Sequence, residues 1–373
     1  MQAAPKIHPR SDVKRIVLAA GATGGHLFPA LAVAESLRGS GAAEPFFLCT
    51  DRSFDRRELT AAGFPFVCLP SVGLSLGAMA RAAGTLFRSV RRAAELLQFL
   101  RPARVVGFGG HGCAAPLLAA RLRRVPISLF EQNSLPGKAT RAFAPWASHV
   151  YLQWPASVRY FGGLGARVRV VGSPVRGSLD RIPKEEARRR LGIDTGRMVL
   201  TIVGGSQGAK GLNDALLQGL GGLSPFKERI HILHLAGAAQ FGEVRMRYLN
   251  EGFEATVFDF CRSMGAVYSA TDLILCRAGA MTLQELAYFS LPAVLVPLPT
   301  AAGDHQTDNA RTLTRENRAL WVPQASLGSG FLRSLVLSFL TDQGRFSSRG
   351  GRLRSYFPDT ALETFLADVA EEG

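Results

Sequence analysis

The sequence predicts an α/β chain of two doubly wound, parallel-sheet domains in tandem, facing each other across a cleft. Three observations carry this expectation. Short apolar runs alternate with helical segments along the chain, the pattern of a parallel sheet wrapped by helices. The strand, glycine turn and helix that open the chain at 15–37 begin again at 197–220. A length of 373 residues, 47% hydrophobic and only 20% charged, gives each of two domains enough material for its own core.

Taken in order, "RIVLAA" (15–20) is a buried strand that runs into glycines and then a helix from about Leu27 to Leu37. "PFFLCT" (45–50) and "FPFVCLP" (64–70) read as further buried strands, and a long helical stretch covers about 76–100. "ARVVGFGG", "VPISLFEQN" (125–133) and "ARVRVVGSPV" (166–175) continue the alternation. Gly, Ser and Pro break the pattern near Gly172–Asp180, which divides a first domain over 13–175 from a second over 176–357. The second half repeats the plan with "RMVLTIVGGSQGAKGLNDALLQGL" (197–220), "RIHILHLAG", "ATVFDF", "DLILCRAGA" and "LPAVLVPLP" (291–299).

A formal charge of +15 predicts an anionic partner: nucleic acid, anionic lipid or a phosphate-bearing substrate. Nucleic-acid binding predicts clustered basic residues interleaved with aromatics, whereas the arginines here are scattered, so no nucleic acid is expected. The five cysteines form no C-x-x-C pair and read as buried free thiols of a reducing compartment. The first residues lack the apolar core of a signal peptide, and no run approaches the roughly 20 apolar residues of a membrane span. The expectation is a soluble chain, or one that sits on a membrane surface.

Four glycine turns lie at strand ends: "GATGGH" (21–26), "GFGGHG" (107–112), "GGSQGA" (204–209) and "CRAGAMTLQE" (276–285). Such a turn lets backbone N–H groups approach an anion at a helix N-terminus. A dinucleotide reading fails on spacing: the first turn is G-x-x-G-G, and Asp51 lies farther past Gly25 than the roughly 20 residues of that fingerprint. At the fourth turn a carboxylate at Glu285 suits two ribose hydroxyls, with backbone amides from Ala280 to Leu283 on phosphate or sugar oxygens. The competing structural account pairs Thr282 and Glu285 as a capping box. Gln306, in "DHQTDNA", offers an amide with both donor and acceptor for sugar hydroxyls, or serves a polar loop. No Asp-x-Asp occurs, so a metal-bridged diphosphate is not suggested, and no cofactor is expected. His231 and His234 stand at odd separation on one strand and face opposite sides.

The set "GATGGHLFPALAVAESL", "GFGGHG", "EQNSLPGKATR", "VGSPVR", "VGGSQGAKGLND", "CRAGAMTLQELAYFSLPAVLVPLP" and "DHQTDNA" resembles, in order and interval, the bacterial undecaprenyl-diphospho-muramoylpentapeptide N-acetylglucosaminyltransferases. The resemblance covers about residues 14 to 320. It implies a GT-B fold of two Rossmann-like domains, with the last helix (about 358–370) returning to the first. It implies inverting transfer from UDP-N-acetylglucosamine to lipid I, on the cytoplasmic face of the bacterial inner membrane, with proteins of a wall-building complex as further partners.

Carried over by motif, the resemblance assigns the donor mainly to the second domain. There Glu285 meets the ribose within the turn Ala280, Met281, Thr282, Leu283, Gln284, Glu285. Ser206 meets the diphosphate, the backbone near Cys261 the uracil, and Gln306 the sugar. Thr23, Gly24, Gly25, Asn133 and Arg176 complete the donor site. "GATGGH" and the Gly109, Gly110, His111 turn would cradle the acceptor diphosphate. His26 is the candidate general base, since a neutral imidazole is available near pH 7; its alternative role is to orient the loop or a phosphate. Ala22 replaces a usual glycine, a change expected to be sterically minor. His111, Cys113 and Thr140 stand where Tyr, Ser and Asn are common. Residues 76–92 carry Leu76, Met79, Leu86, Phe87 and Val90 among Arg81, Arg88, Arg91 and Arg92, a strip suited to an anionic membrane face or to packing on the sheet.

Overall fold

The computed structural model describes residues 14–70, 79–175, 177, 179–194, 196–205 and 209–371. The chain divides into two compact units: Met1–Arg176 with Pro358–Gly373, and Gly177–Phe357.

The first unit contains β1 (Arg15–Ala19), α1 (Gly24–Ser40), β2 (Glu44–Thr50), α2 (Ser53–Ala62), β3 (Phe66–Leu69), α3 (Met79–Leu100), β4 (Arg104–Gly107), α4 (Ala114–Leu122), β5 (Ile127–Glu131), α5 (Lys138–Phe143), β6 (His149–Leu152) and β7 (Val168–Val170). The strands pair in parallel in the order β3-β2-β1-β4-β5-β6-β7. Alternate residues of β1 feed opposite layers. Ile16 and Leu18 pack with Leu31 of α1 and Phe47, while Val17 and Ala19 pack with Leu97 of α3 and Leu117 of α4. β6 escaped the sequence reading because "HVYL" is only four residues and opens on a histidine. α1 starts at Gly24, three residues before the expected start, and Pro29 inside it withholds the N–H that would reach the Gly25 carbonyl.

The final helix, here α14 (Ala361–Glu371), completes the first unit. Phe365 joins a row of rings with Phe130 (centroids 5.6 Å) and Tyr151 (5.8 Å). Buried Asp368 accepts from Tyr151 Oη at 2.5 Å and from Arg169 Nη1 at 2.5 Å. The helix is thus tied to β6 and β7 by both apolar contact and a hydrogen-bonded charge.

The second unit contains α6 (Lys184–Arg190), β8 (Met198–Val203), α7 (Lys210–Gly219), β9 (Ile230–Leu235), α8 (Phe241–Asn250), β10 (Ala255–Phe258), α9 (Met264–Ala270), β11 (Leu273–Cys276), α10 (Ala280–Phe289), β12 (Ala293–Leu295), α11 (His305–Arg315), β13 (Leu320–Trp321), α12 (Ser329–Thr341) and α13 (Gln343–Tyr356). Its parallel sheet runs β10-β9-β8-β11-β12-β13. Buried His234 links Tyr248 Oη (2.8 Å) to Asn213 Oδ1 (3.1 Å) of α7. Burial pushes its imidazole down to about 3, so the ring is neutral and serves structure. His231 meets Thr256 instead.

In each sheet the strand order reverses direction at one pair, β1/β4 in the first and β8/β11 in the second. Crevices at the carboxyl ends of such pairs are where open α/β sheets bind ligands. The four glycine turns are the loops that leave these four strands.

Candidate active site

The first turn is built on two successive residues with positive φ. Gly21 has φ 138° and Ala22 has φ 72°. For Ala22 this is the left-handed region, where a Cβ crowds the following carbonyl. The substitution of alanine for glycine is therefore not minor, because it loads the loop with backbone strain. Two residues hold Ala22 in place: its N–H donates to Asp55 Oδ2 at 2.9 Å, and its carbonyl accepts from Arg52 Nη1 at 3.0 Å. Asp55, at the start of α2, is fully buried and also accepts from Thr50 Oγ1. A Cβ on Gly21 would fall 2.4 Å from Asp55 Oδ2, so this carboxylate requires glycine there. Ala22→Gly is expected to raise stability by about 1 kcal/mol, read from urea unfolding. A lowered midpoint would mean that the Ala22 methyl packs more favourably than its backbone is strained.

Thr23 caps α1 with extended backbone (φ −149°, ψ 157°), and Thr23, Gly24 and Gly25 form its exposed or half-buried start. The Thr23 hydroxyl lies 3.0 Å from His26 Nδ1. The His26 ring lies against the second turn. A Cβ on Gly110 would stand 2.9 Å from Cε1 and Nδ1, and one on Gly109 would stand 3.3 Å from Cδ2 and 3.4 Å from Nε2. Both glycines have positive φ (84° and 73°). The second turn is thus glycine in part because it seats a histidine from the first. His111 is exposed at the start of a 3-10 turn, and the buried Cys113 thiol, pushed up to about 12 by desolvation, donates to the Gly110 carbonyl.

Asn133 follows β5, and its position depends on Glu131. The Glu131 carboxylate accepts from the Asn133 N–H (3.0 Å), from Asn133 Nδ2 (3.4 Å) and from the Gly137 N–H (2.9 Å). Burial raises the Glu131 carboxyl above the usual range while these donors pull it down. Thr140, at the site where Asn is common, faces the same carboxyl.

In the second unit the cap of α10 is Gly279, with no side-chain cap, so Thr282 and Glu285 do not form a capping box. Glu285 sits in the second helical turn, half-buried, and Oε2 accepts from Tyr268 Oη at 2.7 Å. The Leu283 amide is already spent on the Gly279 carbonyl at 3.1 Å, which removes it from the expected run of anion-facing donors. The Ala280, Met281, Leu283 and Gln284 side chains are all buried. Beneath the turn, buried Arg277 donates to the carbonyls of Val296 and Pro297 (both 3.1 Å) and to Gln324 Oε1 (2.8 Å). Gln306 Oε1 accepts the Leu298 N–H at 2.9 Å, so its carbonyl end shapes the loop after β12. Cys261 is half-buried beyond β10, its thiol pushed up by burial. Arg176 and Ser206 lie outside the described residues.

The glycosyltransferase family 28 N-terminal domain matches residues 16–152, and the family 28 C-terminal domain matches 199–348. A UDP-N-acetylglucosamine–N-acetylmuramyl-(pentapeptide) pyrophosphoryl-undecaprenol N-acetylglucosamine transferase of Syntrophotalea carbinolica is 36% identical over 346 residues, 91% of this chain and 94% of that protein. The chain belongs to this transferase family. The family member of Azotobacter vinelandii is 38% identical over 360 residues, covering 96% of this chain and 98% of its own. The crystal structure of Acinetobacter baumannii MurG matches with a TM-score of 0.76 at 28% identity, over 96% of this chain and 99% of that one. The two Rossmann-like domains are those of the GT-B class, as the motif resemblance implies.

Within this family framework, the first unit brings together Thr23, Gly24, Gly25, His26, Gly109 and Gly110, and the second gathers Glu285 with the α10 start. The supporting residues Arg52, Thr50, Asp55, Tyr268, Arg277 and Gln324 were not singled out from the sequence. "TDRSFD" after β2 carried the only available signal, a buried-strand end followed at once by polar residues. Among the described residues no cluster of three or more His, Cys, Asp or Glu is arranged to hold a metal ion.

Proposed function

We propose that this chain transfers N-acetylglucosamine from UDP-N-acetylglucosamine to the muramoyl 4-hydroxyl of lipid I, inverting the anomeric carbon and giving lipid II and UDP in peptidoglycan synthesis. The observation that carries this is family membership along both domains, at 36–38% identity over more than nine-tenths of the chain. Glycine turns at both switch points supply the ligand sites that such chemistry needs.

The second unit holds the donor. Glu285 takes the ribose hydroxyls, Ser206 and the start of α10 the diphosphate, the backbone at Cys261 the uracil, and Gln306 the sugar. From the first unit, Thr23, Gly24, Gly25, Asn133 and Arg176 are assigned to the donor, and Gly109, Gly110 and His111 to the acceptor diphosphate. His26 takes the proton from the attacking hydroxyl. In the tautomer that carries its proton on Nδ1, that nitrogen donates to Thr23 Oγ1 and Nε2 is the basic nitrogen. Arg176, Ser206 and helix N-termini, not a metal ion, meet the charge of departing UDP.

The enzyme works as a peripheral protein on the anionic cytoplasmic face of the inner membrane, alongside other wall-building proteins. No helix among the described residues is long and apolar enough to cross a membrane. On α3, Val90, Ala93 and Leu97 pack inward, whereas Leu86 and Phe87 remain 46% and 69% exposed beside exposed Arg88, Arg91 and Arg92. Core packing therefore accounts for one side of this helix and leaves a basic-apolar strip suited to a lipid surface.

The test uses purified protein, UDP-N-acetylglucosamine and a short-chain lipid I analogue with a metal chelator, reading UDP release and the disaccharide product. Turnover that survives chelation is expected. Donor binding without product would point to another acceptor, and no donor binding would overturn the reading. With the acceptor placed in anionic vesicles, Phe87→Glu is expected to raise its apparent KM at least several-fold while sparing the soluble analogue. An equal effect on both acceptors would remove α3 from the membrane contact.

A further inference from the structure

Cys49 on β2 and Cys68 on β3 are direct partners in the parallel register, and their sulfurs lie 3.5 Å apart. We propose that these two thiols form a redox-modification site, in which a hydroperoxide oxidises Cys68 and Cys49 closes a reversible disulfide. Adjacent strands hold such Cα atoms roughly 4.8 Å apart. That falls inside the roughly 4.4–6.8 Å span of disulfides, so side-chain rotation with a small adjustment at the end of β2 closes the sulfurs to about 2.05 Å.

The two thiols differ in access. Cys68 is half-buried on the edge strand, whereas Cys49 is 1% exposed beneath α2. An oxidant therefore meets Cys68 first. The sulfur–sulfur contact with Cys49 favours a thiolate at Cys68, and Arg56 assists against burial, Asp55 and Asp51. The remaining cysteines are poorer targets: Cys113 and Cys276 are buried and pushed up to about 12, and the Cys261 thiol is raised by burial.

In the first step the Cys68 sulfur attacks the hydroperoxide. The O–O bond breaks, sulfur is oxidised to the sulfenic acid, and the peroxide is reduced to an alcohol that takes the thiol proton. In the second, the Cys49 sulfur attacks Cys68, the S–S bond forms, and the sulfenic oxygen leaves as water with the Cys49 proton. In a reducing compartment the bond is transient and sensing, not structural.

The bond would act on the first turn. Thr50 follows Cys49 directly, and its hydroxyl shares Asp55 with the strained Ala22 N–H. Rotating Cys49 toward Cys68 shifts the end of β2 and loosens this bracket. This consequence, unlike the disulfide itself, rests on the reading that the first turn serves the acceptor.

The experiment treats the reduced, full-length protein with hydrogen peroxide and follows intact mass, peptide maps and turnover. A loss of two hydrogens, a Cys49–Cys68 cross-linked peptide and reversal by dithiothreitol are expected. In Cys49→Ala, Cys68 should gain one oxygen that a sulfenic-acid trap captures, and Cys68→Ser should do neither. Turnover should fall several-fold on oxidation, recover with dithiothreitol, and be insensitive to peroxide in Cys68→Ser. Both thiols remaining open to alkylation after peroxide would overturn the proposal. A disulfide with unchanged turnover would overturn its coupling to the loop. Turnover of the reduced protein reports separately on the transferase reading.

Discussion

His26→Ala is expected to lower kcat by about two to four orders of magnitude, the range general-base removal produces, with little change in the affinity for UDP-N-acetylglucosamine. The ring is doubly constrained, by Thr23 Oγ1 at 3.0 Å from Nδ1 and by the Gly109–Gly110 surface against it. Such constraint limits how far the ring can turn. Thr23→Val removes the Nδ1 partner and should cost part of the same kcat, because the ring then loses the hydrogen bond that orients it. Gly110→Ala should do comparable damage by a different route, since its Cβ would meet the ring at 2.9 Å and the backbone is at φ 73°. The acidic limb of the kcat/KM profile, which falls as an essential base is protonated, should disappear in His26→Ala. If kcat instead holds within about threefold and only the acceptor KM rises, His26 orients a phosphate and another group takes the proton.

Glu285→Gln carries the second large effect, on binding of the donor. A carboxylate accepting ribose hydroxyls makes charge-assisted hydrogen bonds worth about 1.5–3 kcal/mol each, so its neutral replacement should raise the donor Kd roughly ten- to a hundredfold. The acceptor KM should be unmoved. Tyr268→Phe provides the control, because Tyr268 Oη donates to Glu285 Oε2 at 2.7 Å and holds the carboxylate's rotamer. Its cost should be smaller, within about tenfold, and in the same direction. Isothermal calorimetry with UDP and with uracil separates the ribose from the base. A Glu285→Gln protein that binds UDP as the parent does would take Glu285 out of the ribose site and leave it as the structural partner of Tyr268.

The turns that make up the candidate site were legible in the sequence because they depend on local features. Glycine in a turn after an apolar strand is visible without coordinates, and so is the histidine that ends "GATGGH". Contacts made across the fold were not visible. Ala22 looked like a harmless substitution because φ is not written in a residue's identity. Its strain and its two clamps, Asp55 and Arg52, come from a neighbouring helix and the loop before it. The capping box at Thr282 and Glu285 had the right spacing, yet α10 begins at Ala280, which puts Thr282 inside the helix and sends Glu285 to Tyr268. The cysteines read as isolated buried thiols because Cys49 and Cys68 are separated by α2 in the chain. Register on adjacent strands brings them together.

The sequence by itself determined the alternating α/β pattern, the repeated half and the family, since each rests on periodicity, turn chemistry and motif order within short windows. Tertiary structure alone decided that the four glycine turns fall on the two switch points, because strand order is set by which sheets can be covered on both faces and not by order along the chain. It also decided that the second turn is glycine where the His26 ring lies, that Asp55 holds the first turn, and that Asp368 of the last helix meets Tyr151 and Arg169. Each depends on contact between segments remote in sequence, where burial and hydrogen-bond satisfaction outweigh local preference.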